Sequence, residues 1–336
     1  MKIFLVCMAY DYGDRARGHS YEYYNFLDSL RSMGHVVELF DYMEEMASLG
    51  KAEMNKALVA RAAEQSPDVA VFSLYTDQLE PEAVRAVAKY TKTLCFFHDD
   101  TWRRDFSRSW APNFDYFTSS DFECKRKYQR IGLNHIIHFP FGVNEALYRP
   151  MDAEKKYDVS FVGGWHPYRE WLISRLRRAN INVEVAGYRW PRGILRHPDM
   201  VRLFSESRIN LNFSNSSSWD IRYLAQSPRA VLTRLRSKKD VEQIKARHFE
   251  INACRAFQLS YYVDGLERCY RIGEEIAVYL DPDDLVDKIR YYLADDVLRE
   301  NMAESAYQRT LAEHTYAKRF DGVFSEMGLL ADHGAS

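Results

Sequence analysis

Residues 245–267 read KARHFEINACRAFQLSYYVDGLE. Two cations, Lys245 and Arg247, stand two apart, and the carboxylate of Glu250 follows three residues after the arginine. An apolar strand over 257–260 comes next, then a turn carrying Asp264, Gly265 and Glu267. Anions are held where cations and the free N–H groups of a helix N-terminus converge on one spot. A carboxylate one turn further along can accept hydrogen bonds from a ribose diol. Together these parts describe a nucleotide-diphosphate site. The same spacing also fits a solvated amphipathic helix with its charges on the wet face.

On both sides of this stretch, short apolar runs alternate with amphipathic ones. In the first half, 2–8, 36–40, 69–74, 93–97 and 116–119 read as strands. Helices are expected between them at 20–33, 52–64, 81–90 and 122–131, the first with Tyr23, Phe26, Leu27 and Leu30 on one face. In the second half, 157–162, 183–186, 209–213, 257–260 and 276–280 read as strands, with helices at 170–178, 199–206, 282–294, 297–313 and 316–327. Such alternation predicts parallel sheets covered on both faces. The segment PFGVNEALYRP (140–150), with two prolines and a glycine, reads as a hinge. The expected architecture is α/β, with Rossmann-like units over 1–150 and 151–315 and a helical tail over 316–336. Two such units are expected to leave a ligand cleft at the carboxyl ends of their strands.

A chain of 336 residues agrees with two domains, since one core rarely serves more than about 250–300 residues. The net charge of −2 gives no basis for nucleic acid as the main partner. The five cysteines form no CxxC pair and the ten histidines no zinc spacing, so the thiols read as small core residues of a reduced cytoplasm. The opening MKIFLVCMAYDYG is too short an apolar run for a signal peptide, and no stretch reaches the length of a membrane span. A soluble, cytoplasmic protein is expected. Aromatic residues, 14% of the chain, suit a sugar-binding cleft, where flat rings pack on C–H faces.

The second half resembles the carboxyl domain of GT-B glycosyltransferases, and more narrowly the CgeB-like (spore-maturation-type) group. The resemblance rests on YDVSFVGG at 157–164, on 245–267, and on IGEEIAVYLDPDDLVDKIRYYLADDVLRENMAESAYQRTLAEHTY at 272–316. PFGVNEALYRP is similar to the interdomain linker of related retaining enzymes. The resemblance implies a nucleotide-sugar donor on the second domain and a glycan or other hydroxyl acceptor on the first. It implies that Lys245 and Arg247 neutralise the diphosphate, that Glu250 holds the ribose, and that Gly163 and Gly164 let the backbone approach the donor. Arg169 would be a second phosphate clamp, and Glu267 would stand at the sugar end. Glu242 lies eight before Glu250, like the paired glutamates of related glycosyltransferases, but RLRSKKDVEQIK (234–245) reads as a polar helix, which sets Glu242 apart. Where the family usually has a glycine after Ala-Cys, this chain has Arg255, which would crowd the donor or add a phosphate contact.

Glycosyl transfer needs a stabilised diphosphate leaving group, which cations and helix N-termini supply electrostatically without a metal. Asp281-Pro-Asp283 has the spacing of a metal motif but reads as a helix start. His98, Asp99 and Asp100 close the apolar run TLCFFHDD at a strand's carboxyl end, where polar groups meet ligand. One carboxylate can serve as base and His98 can bind the transferred sugar, or Asp100 or Thr101 caps a following helix. The loop 11–19 lacks the glycine patterns of dinucleotide and P-loop binders and reads as an acceptor or donor contact or as an ordinary turn. His314 and Tyr316 read as helix-junction packing. The serine–asparagine run at 214–218 and the cations after it read as an acceptor or lid loop, or as solvated surface; residues 222–247 can also dock an anionic acceptor or membrane surface. The reading reached is a metal-independent glycosyltransferase, retaining by resemblance, needing no cofactor beyond its nucleotide-sugar co-substrate. A nucleotide-sugar epimerase and a non-catalytic nucleotide-sugar binder are the alternatives.

Overall fold

The computed structural model describes residues 1–213, 218–226, 228–237, 239 and 242–330. Two compact units divide the chain: Met1–Pro140 together with the tail from Tyr316, and Phe141–Thr315. In the sequence reading the boundary lies at 150 and 316–336 stands as a separate tail.

The first unit is built on a parallel sheet of β1 (Lys2–Cys7), β2 (Val36–Asp41), β3 (Val69–Ser73), β4 (Lys92–Phe96), β5 (Tyr116–Ser119) and β6 (Ile136–His138), in the order β2-β1-β3-β4-β5-β6. All of β3 and all but the first residue of β1 are buried, which is why they read as unbroken apolar runs rather than alternating ones. Three-residue β6 was not expected, because it merges in sequence with the linker. The helix after β1 opens into a π turn over Tyr23–Leu27 before resuming as Asp28–Ser32.

The tail helix Tyr316–Glu326 belongs to this unit for a physical reason. It carries Tyr316, Phe320, Val323 and Phe324 at helical spacing, and all four are buried. The Phe320 ring lies 5.4 Å from Phe26 and 5.2 Å from Phe139. Phe26 and Phe96 continue the same aromatic cluster towards β4.

The second unit holds a parallel sheet of β7 (Tyr157–Val162), β8 (Val183–Ala186), β9 (Ser207–Asn212), β10 (Gln258–Tyr261) and β11 (Ala277–Tyr279), in the order β11-β10-β9-β7-β8. Its core takes Val159, Phe161, Ile209, Leu211 and Leu259 from the strands, with Trp171, Leu172 and Ile289 from the covering helices. Asp281 accepts hydrogen bonds from the N–H groups of Asp283 (2.7 Å) and Asp284 (3.1 Å), so it caps the helix Pro282–Leu293 as the sequence predicts.

Replacing Phe320 with alanine empties a fully buried ring site and is expected to cost about 3–5 kcal/mol. Urea unfolding checks this; a loss under about 1 kcal/mol, the scale of an ordinary surface change, would detach the tail from the first unit.

Candidate functional site

In the second unit the loops after β7 and β8 lock together at the carboxyl edge of the sheet. The N–H of Gly163 donates to Ala186 (2.9 Å), that of Trp165 to Tyr188 (2.9 Å), and the indole N–H of Trp190 to the Gly163 carbonyl (2.9 Å). Gly187 allows this closeness: at its φ of +137° a Cβ would stand 2.1 Å from the Gly163 carbonyl oxygen. A Cβ on Gly163 would meet the Phe161 ring at 2.7 Å, whereas the space around Gly164 is open. Gly187 was not singled out from the sequence, although its neighbour in the fold was.

Arg169 reaches back from the helix Pro167–Arg178 into this corner. Its guanidinium donates to the carbonyls of Gly164 and Phe213, both at 2.9 Å, and so joins the loop after β7 to the end of β9. Burial lowers its pKa to about 10, and Arg247 adds to the lowering while Tyr279 and Glu242 oppose it. His166 is drawn down to about 4 by desolvation and by the charges of Arg169, Lys239 and Arg189.

Lys245 and Arg247 enter at the start of the helix Arg247–Ala253. His248 Nδ1 lies 3.1 Å from both the N–H and the carbonyl of Lys245, and its Nε2 lies 3.1 Å from Ser260 Oγ on β10. Gln258 donates to the carbonyls of Arg247 and His248. His248 is fully buried, and burial holds its pKa near 4, so it is a neutral strut fixing the turn that presents the two cations. Arg247 pairs with Glu250 (2.7 Å), reaches Met200 Sδ (3.0 Å) and lies 5.3 Å from the Phe204 ring. Glu250 is almost fully buried and also bonds the Tyr148 hydroxyl. The structure thus gathers Gly163, Gly164, Arg169, Arg247 and Glu250 around the strand ends, with Lys245 beside Gln243 (3.1 Å). Glu267 stands apart, exposed, accepting from Tyr262 (3.2 Å).

Two readings of this region change. The helix Pro228–Arg236 stops at Arg236, and residues 242–245 are not helical, so the polar helix that set Glu242 apart is absent there. Glu242 instead acts electrostatically on Arg169, Tyr168, Tyr261 and Tyr279, at the ends of β10 and β11. Arg255 neither crowds that edge nor binds there. It takes the left-handed conformation (φ +53°) that a glycine favours at a helix end, and its guanidinium pairs with Glu304. With Cys254, Phe257, Lys155 and Arg299 it lines a cavity of about 590 Å³ at the amino ends of the strands. Of the 214–218 run, residues 214–217 lie outside the described residues.

In the first unit the trio at the end of β4 splits. His98 Nε2 lies 2.7 Å from Glu22 Oε1 and 2.9 Å from Ser73 Oγ, and the Ser73 hydroxyl donates to Glu22 (2.7 Å). With that proton committed and the carboxylate able only to accept, Nε2 carries a hydrogen towards Glu22. Burial raises the Glu22 pKa, but the His98 ring and the Ser73 hydroxyl outweigh it and hold the carboxyl below its usual range. Glu22 was missed in the sequence because it stands on the helix before the π turn, 76 residues from its partner. Asp99 is half-buried; its carbonyl closes the turn to Trp102 and Arg103, and its charge reaches the Tyr12 ring. Asp100 points elsewhere, buried beneath Ser119 and Tyr128, and burial lifts its pKa to about 6. Neither Asp100 nor Thr101 caps the next helix, whose N-cap is Arg103. In the loop 11–19 the cations are engaged: Arg17 pairs with Asp11 (2.7 Å) and Arg15 with Glu44 (2.5 Å).

Gly187→Ala is expected to cost more than about 3 kcal/mol, since backbone rather than a side chain must move, while Gly164→Ala changes stability by under about 1 kcal/mol. Paired denaturant melts test the contrast. Asp100 binds its proton more tightly folded than unfolded, so its protonated form stabilises fully below about pH 3.8 and that contribution is lost as pH rises through about 6. Asp100→Asn, which mimics the protonated acid, is expected to match the native protein at pH 4 and exceed it at pH 8, by at most about 3 kcal/mol. Melting curves at the two pH values read the difference.

Residues 169–325 match the family model described as glycosyl transferase-like. Spore protein CgeB of Bacillus subtilis (strain 168) is 24% identical over 198 residues, which are 56% of this chain and 60% of that protein. The match thus spans less than two thirds of the curated relative. Among solved structures, Anabaena Alr3699/HepE in complex with UDP and glucose aligns with a TM-score of 0.65 at 11% identity, covering 98% of this chain and 100% of that one. Sucrose-phosphate synthase of Thermosynechococcus elongatus aligns at 0.64 and 12% identity (97% and 99%). A glycosyltransferase of Rickettsia africae ESF-5 aligns at 0.64 and 11% (98% and 99%).

Proposed function

We propose, from the match of residues 169–325 to the glycosyl transferase-like family model and from the GT-B glycosyltransferase fold, that this chain transfers a sugar from a nucleoside-diphosphate sugar to an acceptor hydroxyl without a metal or further cofactor. One observation carries the reading: Arg169, tied to the Gly164 and Phe213 carbonyls, stands near enough to Arg247 to feel its charge, beside the open backbone of Gly164. A diphosphate entering there relieves the repulsion among these cations and takes the charge that develops on the leaving group. Arg247 already faces Glu250, so the pair can divide its work, the guanidinium turning to phosphate and the carboxylate to ribose hydroxyls. Glu242, whose charge acts on Tyr168, Tyr261 and Tyr279, would serve the sugar end of such a donor. Retention at the anomeric centre is part of the proposal by likeness to retaining relatives.

Uridine is the base to try first, since the Anabaena neighbour is described in complex with UDP and UDP-glucose. Arg255 turns away from this edge, which removes the steric ground for a non-catalytic binder. In a thermal-shift panel of UDP, GDP, CDP and dTDP, a ligand at about 100 times its Kd adds about 2.7 kcal/mol of stability. UDP is expected to raise Tm, and Arg247→Ala to weaken its binding by about 1.5–3 kcal/mol, roughly ten- to a hundredfold, as loss of a charged hydrogen bond does. No shift with any nucleotide, or unchanged affinity in Arg247→Ala, would overturn the donor site.

A further inference from the structure

The helix Pro228–Arg236, PRAVLTRLR, is packed inside out. Its buried side chains are Ala230 and an arginine, Arg234, whose guanidinium lies 4.4 Å from the Trp219 ring. Its apolar residues Val231, Leu232 and Leu235 share one face, and that face is exposed, Leu235 by 65%. A surface helix ordinarily turns this stripe to the core. Trp219 and Ile221 just before it are also exposed, by 59% and 78%, so five large apolar side chains surface within seventeen residues. Cations flank the patch: residues 222–239 contain Arg222, Arg229, Arg234, Arg236, Lys238 and Lys239 and no acid, in a chain whose net charge is −2. Arg229 and Arg236 border the exposed apolar face and are themselves exposed, whereas Arg222 is held by Asp220 and Asp283.

We propose that this face is a docking surface for an anionic membrane, with Leu232 and Leu235 entering the acyl boundary and Arg229 and Arg236 lying on lipid phosphates. Charge complementarity selects this occupant. An exposed apolar face bordered by Arg229 and Arg236, with a tryptophan at its margin, matches the layered chemistry of an anionic lipid surface. A second copy of the same face would set arginine against arginine.

Co-sedimentation of the full chain with phosphatidylcholine vesicles, alone or with about one third phosphatidylglycerol, tests it. Binding is expected on the anionic vesicles, little on the neutral ones, and weaker in 0.5 M salt, about three times the ionic strength of physiological medium. Leu232→Asp with Leu235→Asp, and separately Arg229→Glu with Arg236→Glu, should each weaken binding by roughly tenfold or more. All four side chains are exposed, so native circular dichroism and Tm are expected in both variants, and UDP binding reports the donor site independently. Equal binding to both vesicle types, no binding to anionic ones, or full binding by either double variant would overturn the proposal. So would a dimer in solution that Leu232→Asp with Leu235→Asp converts to monomer, since a second copy would then cover the face.

Discussion

The carboxyl edge of the second sheet keeps its shape because no side chain is permitted at Gly187. Its backbone rests on the Gly163 carbonyl at a distance a Cβ would violate. From that contact the loop after β7 takes its course, and Gly164 is left open. Arg169 then spans the loop and the end of β9 through hydrogen bonds to two carbonyls. The helix beginning at Arg247 adds a second cation, held in place by a neutral buried histidine and a buried glutamine rather than by a cap. Charge is thus presented by backbone geometry and buried polar struts, and the Arg247–Glu250 pair is the contact that has to part when a diphosphate arrives.

Much of this fold was legible because parallel strands buried on both faces leave long apolar words in the sequence. The core strands follow from that rule, and the tail helix from the helical spacing of its apolar residues. What escaped were features that depend on distant partners. Gly187 looks like any glycine until Gly163 stands against it, and Glu22 looks like a surface glutamate until His98 and Ser73 close over it. The polar run 234–245, which holds Glu242, reads as helix by composition, yet past Arg236 its described residues are not helical. Adjacent residues also proved poor guides to a shared role, since the backbone turns between them: His98 meets Glu22 while Asp100 is buried beneath Ser119.

Arg255 shows how a departure from a family pattern can be absorbed. The position asks for a left-handed backbone, which glycine gives freely and arginine adopts at a cost of about 1–2 kcal/mol. Its ion pair with Glu304 offsets little of that, being largely exposed. The strain sits at the amino ends of the strands, at the opposite end of the sheet from the loops where donor chemistry is proposed. A local cost there leaves the corner formed by Arg169 and Arg247 unchanged.

The most direct measurement is a crystal structure of the protein soaked with UDP. The diphosphate is expected against the Gly163–Gly164 backbone and between Arg169 and Arg247, with the ribose hydroxyls on Glu250. A nucleotide bound elsewhere, or one whose phosphates touch neither arginine, would contradict the account.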